Sequence, residues 1–165
     1  MPDETKQATY RRILETLQRL TAGESDAVAV MSTICCELHR AFEHFHWVGF
    51  YRRTAPNILK VGPYQGPHGC LTIDIERGVC GACARSGSIQ VENDVSKAPS
   101  HIACSPATKA EIVLPLCDAG GRVVAVLDVD STRLDAFDQV DVLCLGRIAA
   151  LVPLAELSAA GAARG

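Results

Sequence analysis

The sequence predicts an α+β domain, an antiparallel β-sheet flanked by helices, and three observations carry that prediction. Two amphipathic helical patterns open the chain, β-branched runs of period two fill its middle, and a further helical pattern closes it. A doubly wound α/β fold would alternate strand and helix more regularly. The 165 residues are the size of one domain, since domains run to about 100–200 residues. Hydrophobic residues make up 48% and charged residues 21%, so there is enough apolar material for a packed core and intrinsic disorder is excluded. One domain over 1–165 is expected, with an ordered core over about 4–152 and a C-terminal tail over 153–165.

From Glu4 to Leu20 the positions Tyr10, Ile13, Leu14, Leu17 and Leu20 recur at helical spacing, with Lys6, Arg11, Arg12 and Arg19 on other faces. Ser25 is a good N-cap for a second helix whose stripe is Val28, Met31, Cys35, Leu38 and Phe42. The period then becomes two. His46 to Arg52 puts Trp47, Gly49 and Tyr51 on one face of a strand and Val48 and Phe50 on the other, which implies burial on both sides. Ile58–Val61 and Leu71–Ile75 read as short strands on either side of a glycine- and proline-rich loop running from Gly62 to Cys70. Gly78 to Ser86 predicts a short helix closed by Gly87, Ile89–Val91 a strand, and 93–110 a second long loop. Glu111–Cys117 and Arg122–Asp130 are β-branched runs joined by Asp118-Ala-Gly-Gly121, strong turn chemistry for a hairpin of central strands. Phe137 and Asp138 open a last helix with Val140, Leu143, Cys144, Ile148 and Leu151 toward the core, and Pro153 ends or kinks it.

Composition excludes several functions. Sixteen Lys and Arg against nineteen acids give a net charge of −3, and no basic run appears, so nucleic acid is not an expected partner. The polar start MPDETKQATYRR lacks the apolar region of a signal peptide, and no stretch approaches the ~20 apolar residues that span a bilayer. A cytoplasmic protein without membrane association is expected. There the eight cysteines are not a disulfide framework, because the compartment is reducing and the core needs no staples.

The cysteines divide by setting. Cys35, Cys117 and Cys144 fall on apolar periodic positions and read as small core hydrophobes, and Cys36 as a plain helix position. Cys70, Cys80 and Cys104 lie in loop or glycine-rich settings and are candidates for chemistry. Cys80 stands at the start of the short helix, where backbone N–H groups and the dipole stabilise a thiolate. Cys104 has His101 three residues upstream, an imidazole that can assist its ionisation if the loop coils. Cys80-x-x-Cys83 followed by His101-x-x-Cys104 also has the ligand count of a structural zinc site. Apolar strands on both sides and the helical position of Cys83 argue against that, and no metal or other cofactor is expected. Asp128 and Asp130 point to one face of an otherwise apolar strand, beside a partner strand that begins at Glu111. Like charges so placed repel unless a cation compensates them, which makes this face a candidate ammonium pocket.

Taken together, the segments Trp47-Val-Gly-Phe-Tyr51, Gly62-Pro-Tyr-Gln-Gly66, Gly78-Val-Cys-Gly81, His101-Ile-Ala-Cys104, Glu111-Ile-Val-Leu-Pro115 and Val126-Leu-Asp-Val-Asp-Ser131 resemble the free methionine-(R)-sulfoxide reductases, a family of GAF-domain enzymes. The resemblance runs over nearly the whole chain. It implies a GAF fold, a homodimer, and thiol-dependent reduction of free methionine-(R)-sulfoxide, with thioredoxin recycling the enzyme. It places the motif cysteines at Cys70, Cys80 and Cys104, with Cys104 attacking, Cys70 resolving and Cys80 the alternative in either role. It assigns substrate binding to Glu111, Asp128 and Asp130, with Trp47 and Tyr51 as an aromatic wall. His68-Gly69 before Cys70, together with Cys83 and Ser105, departs from the family pattern without removing a required group. GAF domains elsewhere serve as small-ligand sensors, so the alternative to an enzyme is a stand-alone sensor without turnover.

Overall fold

The structure, a computed structural model, describes residues 3–98 and 105–162, with side chains for 5–98 and 105–158. Two helices come first, α1 (Asp3–Leu20) and α2 (Ala27–Ala41). Strands β1 (Phe45–Ala55), β2 (Ile58–Gln65) and β3 (Thr72–Asp74) follow, then helix α3 (Gly78–Ser86) and strand β4 (Gln90–Glu92). The hairpin β5 (Ala110–Cys117) and β6 (Val123–Ser131) leads to α4 (Gln139–Ala149) and α5 (Ala155–Ala162). The six strands form one sheet in the order β3-β2-β1-β6-β5-β4, antiparallel at every pairing, so the expected α+β class is what is found.

Alternation along the strands gives the sheet two unlike faces. Val48, Phe50, Ile112, Leu114, Ala125, Leu127 and Val129 point to the side covered by α1, α2 and α4, where they join Tyr10, Leu17, Met31, Ile34, Leu38 and Ile148 in the larger core. Trp47, Tyr51, Val113 and Val126 point to the other side, packed with Val79, Cys80, Cys83 and Ala84 of α3. A buried network ties α1 to α4: Lys6 bridges Asp138 and Asp141 at 2.7 Å each, and Tyr10 donates to Asp141 at 2.7 Å. Each charge there has a partner, which is what makes its burial tolerable.

Several expectations shift. The N-cap of α2 is Asp26, whose carboxylate accepts from the Ala29 N–H, rather than Ser25. With the helix starting at Ala27 its buried stripe becomes Ala27, Val30, Met31, Ile34, Cys35 and Leu38, leaving Val28 exposed, as is Leu20 at the end of α1. Strand β2 continues through Pro63 to Gln65, where a loop was expected. In α4 the buried residues are Asp141, Leu145, Ile148 and Ala149, while Leu143 is exposed and Cys144 only partly covered, because the Asp138 capping box sets the start of the helix and thereby its inward face. Cys117 is exposed at the end of β5 rather than a core filler. Beyond Pro153, where a C-terminal tail was expected, the chain turns helical again over Ala155–Ala162, and Leu154 and Leu157 pack on the larger core. Among the described residues no helix is long and apolar enough to cross a membrane.

Candidate functional site

Register, more than any loop, assembles the site. Across β1, β6 and β5, Trp47 pairs with Asp130 and Asp130 with Glu111, while in the next inward-facing row Gly49 pairs with Asp128 and Asp128 with Val113. Alternation then directs Trp47, Tyr51, Glu111, Asp128 and Asp130 to one face, and α3 lays Cys80 over them. All six line a single cleft with His68, Gly69, Arg77, Ser105 and Thr108.

Gly49 explains the aromatic wall. A glycine in a strand interior marks a close approach, and here a Cβ would run into the Trp47 ring and lie 2.6 Å from Tyr64 Cβ. With no side chain there, the indole lies flat over the backbone, stacked on Tyr51 at 5.7 Å and on Tyr64 at 5.3 Å between ring centroids. Its Nε1–H donates to the Pro67 carbonyl at 3.0 Å, tying down the loop that carries Cys70. Burial first, and then the Asp128 charge, push the Tyr51 phenol up, so it stays protonated.

The acids are crowded. Asp128 is 5% exposed, its Oδ2 accepts from Cys80 Sγ at 3.4 Å, and no donor among the described residues reaches its Oδ1. Burial, then the charges of Asp130 and Glu111, hold the Asp128 carboxyl well above the usual carboxylate range, and burial and Glu111 do the same to Asp130. One ligand atom from each of Cys80, Glu111 and Asp128 lies within 4.8 Å of the other two. Such a face favours a cation.

The expectation of an ionised Cys80 fails on the same ground. It does sit in the first turn of α3, but burial and then Asp128, Glu111 and Asp130 raise its thiol well above the ordinary value. Three nearby carboxyls outweigh a helix end whose effect is worth ~0.3–1 kcal/mol. Burial likewise pushes the Cys83 thiol up to about 12. Cys70 packs against the α3-side cluster and is disulfide-bonded, whereas Cys35, Cys36, Cys80, Cys83, Cys117 and Cys144 are free. Cys104 and His101 lie outside the described residues.

Residues 3–155 match the GAF domain family. A free methionine-R-sulfoxide reductase of Saccharomyces cerevisiae is 33% identical over 153 residues, covering 89% of this chain and 85% of the relative. The free methionine-R-sulfoxide reductase of Neisseria meningitidis, solved in complex with its substrate, superposes with a TM-score of 0.83 at 39% identity, over 97% of this chain and 94% of that one. The chain belongs to the free methionine-R-sulfoxide reductase family of GAF domains. GAF domain-containing protein A of Dictyostelium discoideum is 39% identical over 148 residues, 90% of this chain and 92% of the relative.

Of the described site residues that the sequence singled out, Trp47, Tyr51, Cys80, Glu111, Asp128 and Asp130 line the cleft, while Cys70 lies beside it, next to the lining residue Gly69. Sequence reasoning missed Arg77, the N-cap residue of α3 that lines the cleft, and the pairing of His46 Nε2 with Thr108 Oγ1 at 2.9 Å. Arg77 precedes Gly78-Val-Cys-Gly81 directly and was legible as a helix-entry cation. Nothing local links His46 to a threonine 62 residues away.

Proposed function

We propose that the protein reduces the R-sulfoxide of free methionine, with Glu111, Asp128 and Asp130 receiving the substrate ammonium and Trp47 and Tyr51 flanking its S-methyl end. The observation that carries this reading is the buried, crowded carboxyl cluster with an aromatic wall in the same cleft. Relatives named as reductases of this substrate support it. Arg77 and the first turn of α3 offer positive charge for the carboxylate end.

Cys104 is the proposed attacker, and the raised thiol of Cys80 favours it over that alternative. Its thiolate attacks the sulfoxide sulfur, the oxygen is protonated and passes to the cysteine, and methionine leaves a sulfenic acid behind. Cys70 then attacks the sulfenic sulfur, water departs, and a disulfide remains for thioredoxin to reduce by exchange. The disulfide-bonded state of Cys70 is consistent with a resolving role. A cytoplasmic homodimer is the proposed setting.

The test is methionine formation from free and N-acetylated sulfoxide, with dithiothreitol as reductant. Turnover of the free amino acid alone is expected, because N-acetylation removes the charge that the acids would bind. Equal rates on both would sink the ammonium pocket, and no turnover on either would return the cleft to a ligand sensor. In single turnovers without reductant, Cys70→Ser is expected to release about one equivalent of methionine and Cys104→Ser none. A normal burst from Cys104→Ser would pass the attacking role to Cys80.

A further inference from the structure

We propose that the reduced protein binds a borderline divalent cation of the zinc type through Cys80 Sγ, Asp128 and Glu111, and that the bound ion blocks the cleft to substrate. The blocking half rests on the reading of these acids as the ammonium site.

The three ligand atoms lie within 4.8 Å of one another, each residue is buried, and each comes from a different packed element: α3, β6 and β5. Ligands on packed elements need little ordering when the ion enters. The Cys80 Sγ–H already faces Asp128 Oδ2 at 3.4 Å, so loss of its proton leaves sulfur directed at the same small volume. Asp128 is only 5% exposed, lines the cleft, and faces Glu111 as well as Cys80, so sulfur and both carboxyls border one small buried volume.

Ligand chemistry selects the ion. One thiolate and two carboxylates suit zinc, cobalt or cadmium, whereas magnesium and calcium require more oxygens and no sulfur. Three protein ligands and one position open to the cleft satisfy a tetrahedral ion. On binding, the S–H bond breaks, its proton leaves to solvent and an S–metal bond forms, with no change in oxidation state. The ligand set differs from the C-x-x-C and H-x-x-C pattern in the sequence, since two of its members come from the sheet. The ion acts here as an inhibitor, not as a cofactor.

Cobalt titration of the phosphine-reduced, metal-free protein tests this through the thiolate-to-cobalt charge-transfer absorption. One ion per chain is expected. Cys80→Ser abolishes the band, and Cys80→Ser and Asp128→Asn each weaken binding by more than about 100-fold, above the 10–100-fold cost of losing a mere outer-shell partner. Cys70→Ser, Cys83→Ser and Cys104→Ser keep the band. Far-ultraviolet circular dichroism checks that each variant is folded, and Asp128→Asn retains a readout should Cys80→Ser fail to fold. Zinc inhibition is competitive with free methionine sulfoxide, which displaces cobalt in turn. A band that survives in Cys80→Ser, or disappears in Cys70→Ser or Cys104→Ser, overturns the site. Cys80-dependent cobalt binding that the sulfoxide cannot displace overturns the blocking half and the ammonium reading together, and leaves the metal site standing.

Discussion

Strand β6 shows two opposite uses of one stretch of chain. Toward α1, α2 and α4 it presents Ala125, Leu127 and Val129, none with any measurable exposure, while toward α3 the residues in between are Val126, Asp128 and Asp130. The first face gains free energy by removing apolar area from water. The second spends some of that gain, because carboxyls are held close together and away from solvent. The difference teaches where stability and strain reside: the strand is fixed by one side, which lets the other hold its carboxyls crowded and buried.

The largest expected effect comes from disarming the strained face. Asp128→Asn should lower kcat/KM for free methionine sulfoxide at least ~30-fold, since truncating one partner of a buried charge pair costs about 2–5 kcal/mol. It should also raise the melting temperature. A carboxyl whose folded pKa is raised contributes stability below its ordinary value of 3.8 and loses it as pH rises through the folded pKa, so toward neutrality the buried Asp128 carboxyl becomes a cost that asparagine removes. A melting temperature that falls in Asp128→Asn would break the comparison.

On the other face the signs reverse. Leu127→Ala opens a cavity in the larger core and should cost about 2–5 kcal/mol of unfolding free energy, read by urea denaturation, while kcat/KM per folded molecule stays within roughly twofold. Loss of activity out of proportion to the folded fraction would show that the two faces are not separable.

The smallest effects are in pH. His44, bonded to Ser131 Oγ at 2.9 Å, has its pKa lowered to about 4 by burial first and then by the charges of Arg133 and Lys6. Its contribution is therefore present above about 6.5, the ordinary histidine value, and lost as pH falls toward 4. His44→Gln should flatten the acid limb of the stability profile and Asp128→Asn the limb toward neutral pH, each by roughly 2–4 °C in melting temperature. Melts from pH 4 to 8 in both variants check this, and a profile that moves the same way in both would count against it.

Alternation is why so much could be read from sequence. Trp47, Gly49 and Tyr51 against Val48 and Phe50, and Asp128 with Asp130 on one face, follow from period two alone, and the span of α3 from its glycines, with Gly87 closing it at φ 67°. What escaped depends on partners distant in sequence. Gly62 and Pro63 look like loop, yet they fall in a register shift of β2 opposite β1, between Gly49 and Tyr51, where Pro63 has no ladder donor to supply. The helix end at Cys80 is local, but its effect is reversed by burial under the sheet and then by carboxyls, of which Asp128 lies 48 residues on. Thr108 joins the cleft through His46, a pairing that no spacing announces.

The chain has one tryptophan, and it is Trp47. Because that indole stacks on Tyr51 and Tyr64 and is anchored to Pro67, the protein carries a built-in optical reporter in the wall of its cleft and nowhere else. Its emission reports on that cleft with no background from the larger core, so arrival of a ligand there can be timed in the unlabelled protein.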